Sequence, residues 1–180
     1  MVDRKPAPLN RSGAAEDLQN TALAFRNVRL ASNYILFNEK EKIMTETIFL
    51  QSAIQQFIDY KLLAEKTFDQ LIEDDFHYRP SEVTNSIAVN ITHLHGNMLS
   101  RWTNFLDEDG EKAWRQRDDE FETHAYSKEK LLLLWEEGWQ CLFEAIDGLT
   151  TDDLSKDIYI RNQAQSVMDA IQRQVAHYAY

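Results

Sequence analysis

Residues 44–72 read MTETIFLQSAIQQFIDYKLLAEKTFDQLI. Ile48, Leu50, Ile54, Phe57, Ile58, Leu62, Phe68, Leu71 and Ile72 recur at spacings of three and four, the period of an amphipathic helix. The spacing predicts a helix of about seven turns, and the rest of the fold is read outward from it. EDDFHYRPSEVTNS (73–86) breaks the pattern. Pro80 forbids continuation, and Ser81 or Thr84 can cap the next helix.

A second helix is predicted over 82–106, with Ile87, Ile91, Leu94, Met98, Trp102 and Phe105 facing inward. DEDG (107–110) ends it, and EKAWRQRDDEFETHAY (111–126) reads as an irregular connection. A third helix starts at Ser127 and turns Leu131, Leu134, Trp135, Leu142, Phe143 and Ile146 to the core. DGLTTDDLS (147–155) is a second turn cluster, and the short β-branched KDIYI (156–160) reads as extended. A last helix is expected from about Ala164, with Val167, Ile171, Val175 and Tyr178 on one face. Four helices joined by two long connections make an all-α four-helix bundle. At about 1.5 Å per residue, a first helix of about 28 residues spans about 42 Å, and a last one of about 16 spans about 24 Å. The ending QVAHYAY (174–180) carries no helix stop signal, so the last helix is expected to be cut short and the chain truncated.

Upstream, residues 1–43 differ in character. DRKPAPLNRSGAAEDLQN (3–20) is polar, and TALAFRNVRLASNYILF (21–37) has apolar residues without a clean stripe. The expectation is two parts: a loosely structured N-terminal extension over 1–43, for which a misassigned start codon is one source, and a helical bundle domain over 44–180. An accessory helix over 21–37 is the alternative reading of the extension.

Composition narrows the function. The 180 residues are 43% hydrophobic and include only five Gly and three Pro, which disfavours an all-β sandwich and a Gly-rich phosphate-binding fold. A formal charge of −11 repels phosphate backbones and anionic lipid, so no nucleic-acid or membrane partner is expected. No run of about 18 apolar residues offers a membrane span, and the first residues lack the apolar core of a secretory signal. The single Cys141 excludes an intrachain disulfide framework and fits a cytoplasmic location.

Five histidines are the residues with metal chemistry: His77, His93, His95, His124 and His177. His77 and His124 fall in polar connections and read as solvated. His93 and His95 lie two apart on one helix and point about 200° apart, so one site takes at most one of them. His95 sits at the edge of the core stripe. His93 shares a small polar face with Val89, Gly96, Asn97 and Ser100, where either a ligand or a partly buried, hydrogen-bonded histidine fits. His177 shares a face with Ala170, Arg173 and Gln174. A histidine pair at i and i+4 would need a partner one residue past Tyr180. HExxH, ExxH and GxSxG are all missing, so zincin, di-iron and α/β-hydrolase chemistry have no support.

SIAVNITHLHGNMLSRWTNFLDEDGEKAWRQRDDEF (86–121) together with DAIQRQVAHYAY (169–180) resembles the DinB/YfiT-like superfamily, within a bacterial branch of unknown function. The resemblance covers residues 44–180. It implies an up-down-down-up four-helix bundle, often a homodimer, that holds zinc or nickel on three histidines. The position in THLHGN (92–97) that matches the first ligand is His93, and His177 matches the first histidine of a terminal HxxxH, usually followed by Gly-Gln. The third ligand is expected just past the chain end. Ala113 stands where the family often has Pro. Asn97, Arg101, Trp114 and Arg115 lie in the matched motifs; a substrate role is one reading, and an ion pair for Arg101 and a core lid for Trp114 is the other. The implied function is that of a metal-dependent transferase using a low-molecular-weight thiol. A metal-dependent hydrolase and a non-catalytic dimerisation bundle or inactive fragment are the alternatives.

Overall fold

The computed structural model describes the backbone of residues 11–180 and the side chains of residues 26 and 29–180. It holds α1 (Arg11–Phe68), α2 (Glu73–His77), α3 (Ile87–Trp102), α4 (Lys128–Asp147), β1 (Asp157–Ile160), β2 (Gln163–Ser166) and α5 (Val167–Ala179). The chain divides into two compact units, Met1–Thr45 and Glu46–Tyr180.

In the first unit residues 11–45 are helical. The loosely structured segment expected over 1–43 is therefore corrected to helix from Arg11 onward; residues 1–10 lie outside the described residues. Between Ala14 and Phe68 no Gly or Pro interrupts the chain, and Ala, Leu, Arg, Glu and Lys are frequent. Backbone propensity thus favours helix where apolar periodicity is silent. Tyr34, Ile35, Leu36 and Phe37 are all exposed, which is why no stripe marks this helix in the sequence.

The second unit is an all-α bundle. Residues 46–68 of α1, with α3, α4 and α5, surround one apolar core. The inward faces of α3 and α4 fall as their periodicity predicts: Ile91, Met98, Trp102, Leu131, Leu142 and Ile146 are buried. In α1 the buried register is Ala53, Phe57 and Phe68, whereas Ile48 and Leu62, and Ile72 beyond the helix end, all expected inward, are exposed. A run rich in apolar residues on more than one face leaves the choice of face to the partner helices, and these seat the fully buried Phe57. Phe57 meets Trp102, Trp139 and Tyr178 at ring-centroid distances of 6.4, 6.3 and 5.7 Å.

The helices begin at polar caps. Ser86, Ser127 and Ser166 each accept a hydrogen bond from the backbone N–H three residues on. Ser86 rather than Ser81 or Thr84 opens α3; Thr84 instead closes a turn with Ser81. The helix α4 lies directly against α3 at Gly138. A Cβ there would sit 3.0 Å from Met98 Sδ and 3.3 Å from the His95 Cα.

The KDIYI segment is extended, as expected, but it folds back on Gln163–Ser166 as an antiparallel hairpin pairing Asp157 with Ser166 and Ile160 with Gln163. Its turn residues Arg161 and Asn162 both have positive φ, 54° and 60°. Asp109 supports that turn: Oδ1 accepts from Arg161 N at 2.9 Å, and Oδ2 from Asn162 N at 2.7 Å. Gly110 N donates to Tyr159 O, and Ser100, fully buried, donates to Gly110 O at 2.7 Å and accepts from Lys112 N at 3.2 Å. The connection after α3 is thereby tied to both the helix and the hairpin. No helix among the described residues is long and apolar enough to cross a membrane.

Candidate metal centre

His93 and His177, far apart in sequence, meet between α3 and α5. Their ring centroids are 5.6 Å apart and their planes cross at 85°. The helix α5 is held in place next to His177 by a buried hydrogen-bond chain. Trp102 Nε1 donates to the Tyr178 hydroxyl, and that hydroxyl donates to Asn97 Oδ1, each at 3.1 Å. Burial pushes the Tyr178 hydroxyl well above its ordinary pKa, so it stays a donor.

The Nε2 atom of His177 is buried and has no hydrogen-bond partner. Burial first, and then His93, Arg101 and Arg115, holds this imidazole below its usual pKa. His93 is engaged on its other side. Its Nδ1 lies 2.9 Å from Glu120 Oε2, and the Phe121 ring packs against it at 4.6 Å with a 34° tilt.

Glu120 sits on a short 3-10 turn, Asp119–Phe121, inside the connection that the sequence marks only as irregular. Arg115 donates to both of its oxygens, from Nε at 2.7 Å and from Nη2 at 2.8 Å. Burial raises the Glu120 pKa, but the hydrogen bonds from Arg115 and His93 outweigh it and hold the carboxyl below the usual range. Arg115 also approaches Glu111 at 3.9 Å, and Glu111 accepts from Arg101 and Arg161 at 3.0 and 2.9 Å. Arg101 also donates to Gly110 O.

A cavity of about 580 Å³ opens at the two imidazoles, with Asn85, Asn90, Leu94 and Phe121 among its walls. A smaller one of about 190 Å³, walled by Tyr60, Ile91, Trp135 and Trp139, shares Asn90, Leu94 and Tyr178 with it. The other histidines lie elsewhere. His95 meets Glu137 at 3.0 Å on the α4 side. His77 and His124, read from sequence as solvated, are partly buried and hydrogen-bonded, His77 to Tyr126 O and His124 to Asp119 O. Trp114 is 54% exposed and covers no core. Among the described residues no third His, Cys, Asp or Glu completes a ligand cluster around His93 and His177.

What periodicity could not single out is Glu120. Within DDEF (118–121) every acidic residue has the same chemistry, and only the fold turns one of the three toward α3. One signal was present. Gly96 interrupts an otherwise good helix, a placement that costs about 1 kcal/mol against Ala and therefore marks a close approach. A Cβ at Gly96 would lie 2.7 Å from the Glu120 carboxyl carbon.

A family model described as "Protein of unknown function (DUF1572)" matches residues 44–180. No curated protein and no solved structure matches the chain.

Proposed function

The chain belongs to the DUF1572 family over residues 44–180, and on that premise we propose a divalent-metal-dependent enzyme of the DinB/YfiT-like superfamily, a cytoplasmic transferase acting with a low-molecular-weight thiol. One observation carries the reading. His177 offers a buried, partnerless Nε2 beside His93, whose opposite nitrogen is already occupied by Glu120. A buried polar atom left without a partner costs stability and needs an explanation, and a ligand role supplies one. Imidazole nitrogens suit zinc or nickel.

His93 and His177 would hold the ion, from α3 and α5 respectively. When bound, the ion supplies Lewis acidity that favours the thiolate form of a thiol at neutral pH. The chain's own residues do the remainder. Asn85 and Asn90, on the cavity wall, offer amide donors and acceptors to a polar substrate group. Leu94 and Phe121 give the same cavity apolar walls that limit water. The Trp102–Tyr178–Asn97 chain fixes the end of α5 and so the position of His177. Cys141 is distinct from the cavity lining and, with its thiol pKa raised by burial, is a poor nucleophile.

The test is calorimetric titration of the chain with Zn²⁺ and with Ni²⁺, beside His93→Ala and His177→Ala. One ion bound per chain, with affinity lost in both variants, is the expected result. Equal binding in wild type and variants, or none in any, refutes the metal reading.

A second reading is a non-catalytic bundle that acts by association, as a homodimer. The exposed Tyr34, Ile35, Leu36 and Phe37 favour it. Light scattering that returns a monomer at all concentrations tested would remove it.

A further inference from the structure

We infer that Glu120, clamped by Arg115, is the positioning residue of the His93–His177 pair: it takes the Nδ1 proton of His93 in a hydrogen bond and leaves Nε2 of that ring as the free lone pair. The inference rests on the metal reading above and deepens it.

The geometry decides the direction of the hydrogen bond. A guanidinium only donates, and Arg115 donates to both oxygens of Glu120. Glu120 therefore acts as an acceptor on both oxygens. The 2.9 Å contact between Glu120 Oε2 and His93 Nδ1 then has only one hydrogen to use, the one on the ring nitrogen. A neutral imidazole that donates from Nδ1 must accept at Nε2. A ligating histidine whose second N–H rests on a carboxylate is the usual way a protein fixes ring plane and tautomer.

Three further features hold this arrangement. The carboxylate is 8% exposed and Arg115 2%, so water competes little for either. Phe121, the next residue, lies against the His93 ring at 4.6 Å and restrains its rotation. Gly96, one turn along α3 from His93, leaves open the space the carboxylate fills; a Cβ there would lie 2.7 Å from the Glu120 carboxyl carbon. A purely structural ion pair, closing the 111–126 connection onto α3, would need Arg115 and Glu120 but would make no demand on the His93 tautomer.

The experiment has two parts. Nitrogen-15 NMR of the metal-free wild-type chain, above the imidazole titration range, reads the tautomer directly. The expected result is His93 protonated at Nδ1 and bare at Nε2; the opposite tautomer overturns the inference without any variant. Zn²⁺ titration then compares wild type, Glu120→Gln, Gly96→Ala and His93→Ala, with circular dichroism confirming the fold. Glu120→Gln and Gly96→Ala should each weaken binding about tenfold to a hundredfold. Gly96→Ala displaces only the far end of a flexible side chain and suits the helix, so it carries the test if Glu120→Gln unfolds. Binding lost in His93→Ala but unchanged in the other two overturns the inference and leaves the metal reading standing. Binding unchanged in His93→Ala fails the metal reading, and this inference with it.

Discussion

Replacing Phe57 by Ala tests whether residues 46–68 of α1 are part of the core or only lie beside it. Phe57 is 0% exposed and, among the described residues, is the one α1 side chain in ring contact with α3, α4 and α5 together, through Trp102, Trp139 and Tyr178. Truncating a buried Phe to Ala costs about 3–5 kcal/mol through lost transfer energy and the cavity left behind. Three tilted or edge-on ring pairs at 5.7–6.4 Å place this site at the upper end, since each such pair adds about 0.5–1.5 kcal/mol beyond buried area. For a chain of this length the melting temperature should fall by about 6–20 °C. The assay is urea unfolding followed by circular dichroism and by tryptophan fluorescence, with Ile48→Ala as control. Ile48 lies on the same helix at 57% exposure and should change stability by no more than about 0.5 kcal/mol. A loss below about 1 kcal/mol for Phe57→Ala, or equal losses for both, would refute the packing argument. The same variant loosens the wall behind Tyr178, so a drop in metal affinity should accompany the drop in stability.

Two further outcomes rest on the hydrogen bonding. Tyr178→Phe strands Trp102 Nε1 and Asn97 Oδ1 and should cost about 1–3 kcal/mol by urea unfolding. Because the folded-state pKa of Tyr178 is raised, its contribution is complete below the ordinary tyrosine pKa of about 10 and fades as pH climbs above it; the variant should lose this alkaline dependence. Asp153 behaves oppositely. Hydrogen bonds from Lys156 first, and then from Thr150, depress its pKa, so its stabilisation is present above the ordinary aspartate value of about 3.9 and is lost as pH falls below it. Acid titration of the melting temperature should be flatter in Asp153→Asn; an unchanged acid slope would contradict the assignment.

The bundle was legible because α3 and α4 bury single stripes with clean periodicity, and α4 begins at the expected Ser127. The α1 register was legible only in part: Phe57 and Phe68 are buried as expected, but its apolar residues exceed one face, and Ile48 and Leu62 are left exposed. Over 11–43 the converse holds: the described side chains, residues 26 and 29–43, are all exposed, so they leave no periodic trace, and a helix over 21–37 was only the alternative reading. The second strand, QAQS, has no β-branched or aromatic residue and is held by its pairing with β1. His93 and His177 were named on the family resemblance rather than on periodicity, and the fold brings their rings to 5.6 Å. Glu120 was invisible because selection among three neighbouring acids is made by a 3-10 turn, not by residue type.

The hairpin turn at Arg161 and Asn162 holds two side-chain-bearing residues at positive φ, a conformation that glycine would adopt at less cost. Asp109, 52 residues upstream, offsets that cost with both carboxylate oxygens. Neither segment therefore has a stable shape without the other. The connection after α3 and the hairpin should gain and lose order as a single cooperative unit, with the amides of Gly110, Arg161 and Asn162 exchanging hydrogen at a common rate. Through Arg161, Glu111 and Arg115 that unit reaches the carboxylate beside His93, so local opening of the hairpin turn should also loosen the contacts of that imidazole.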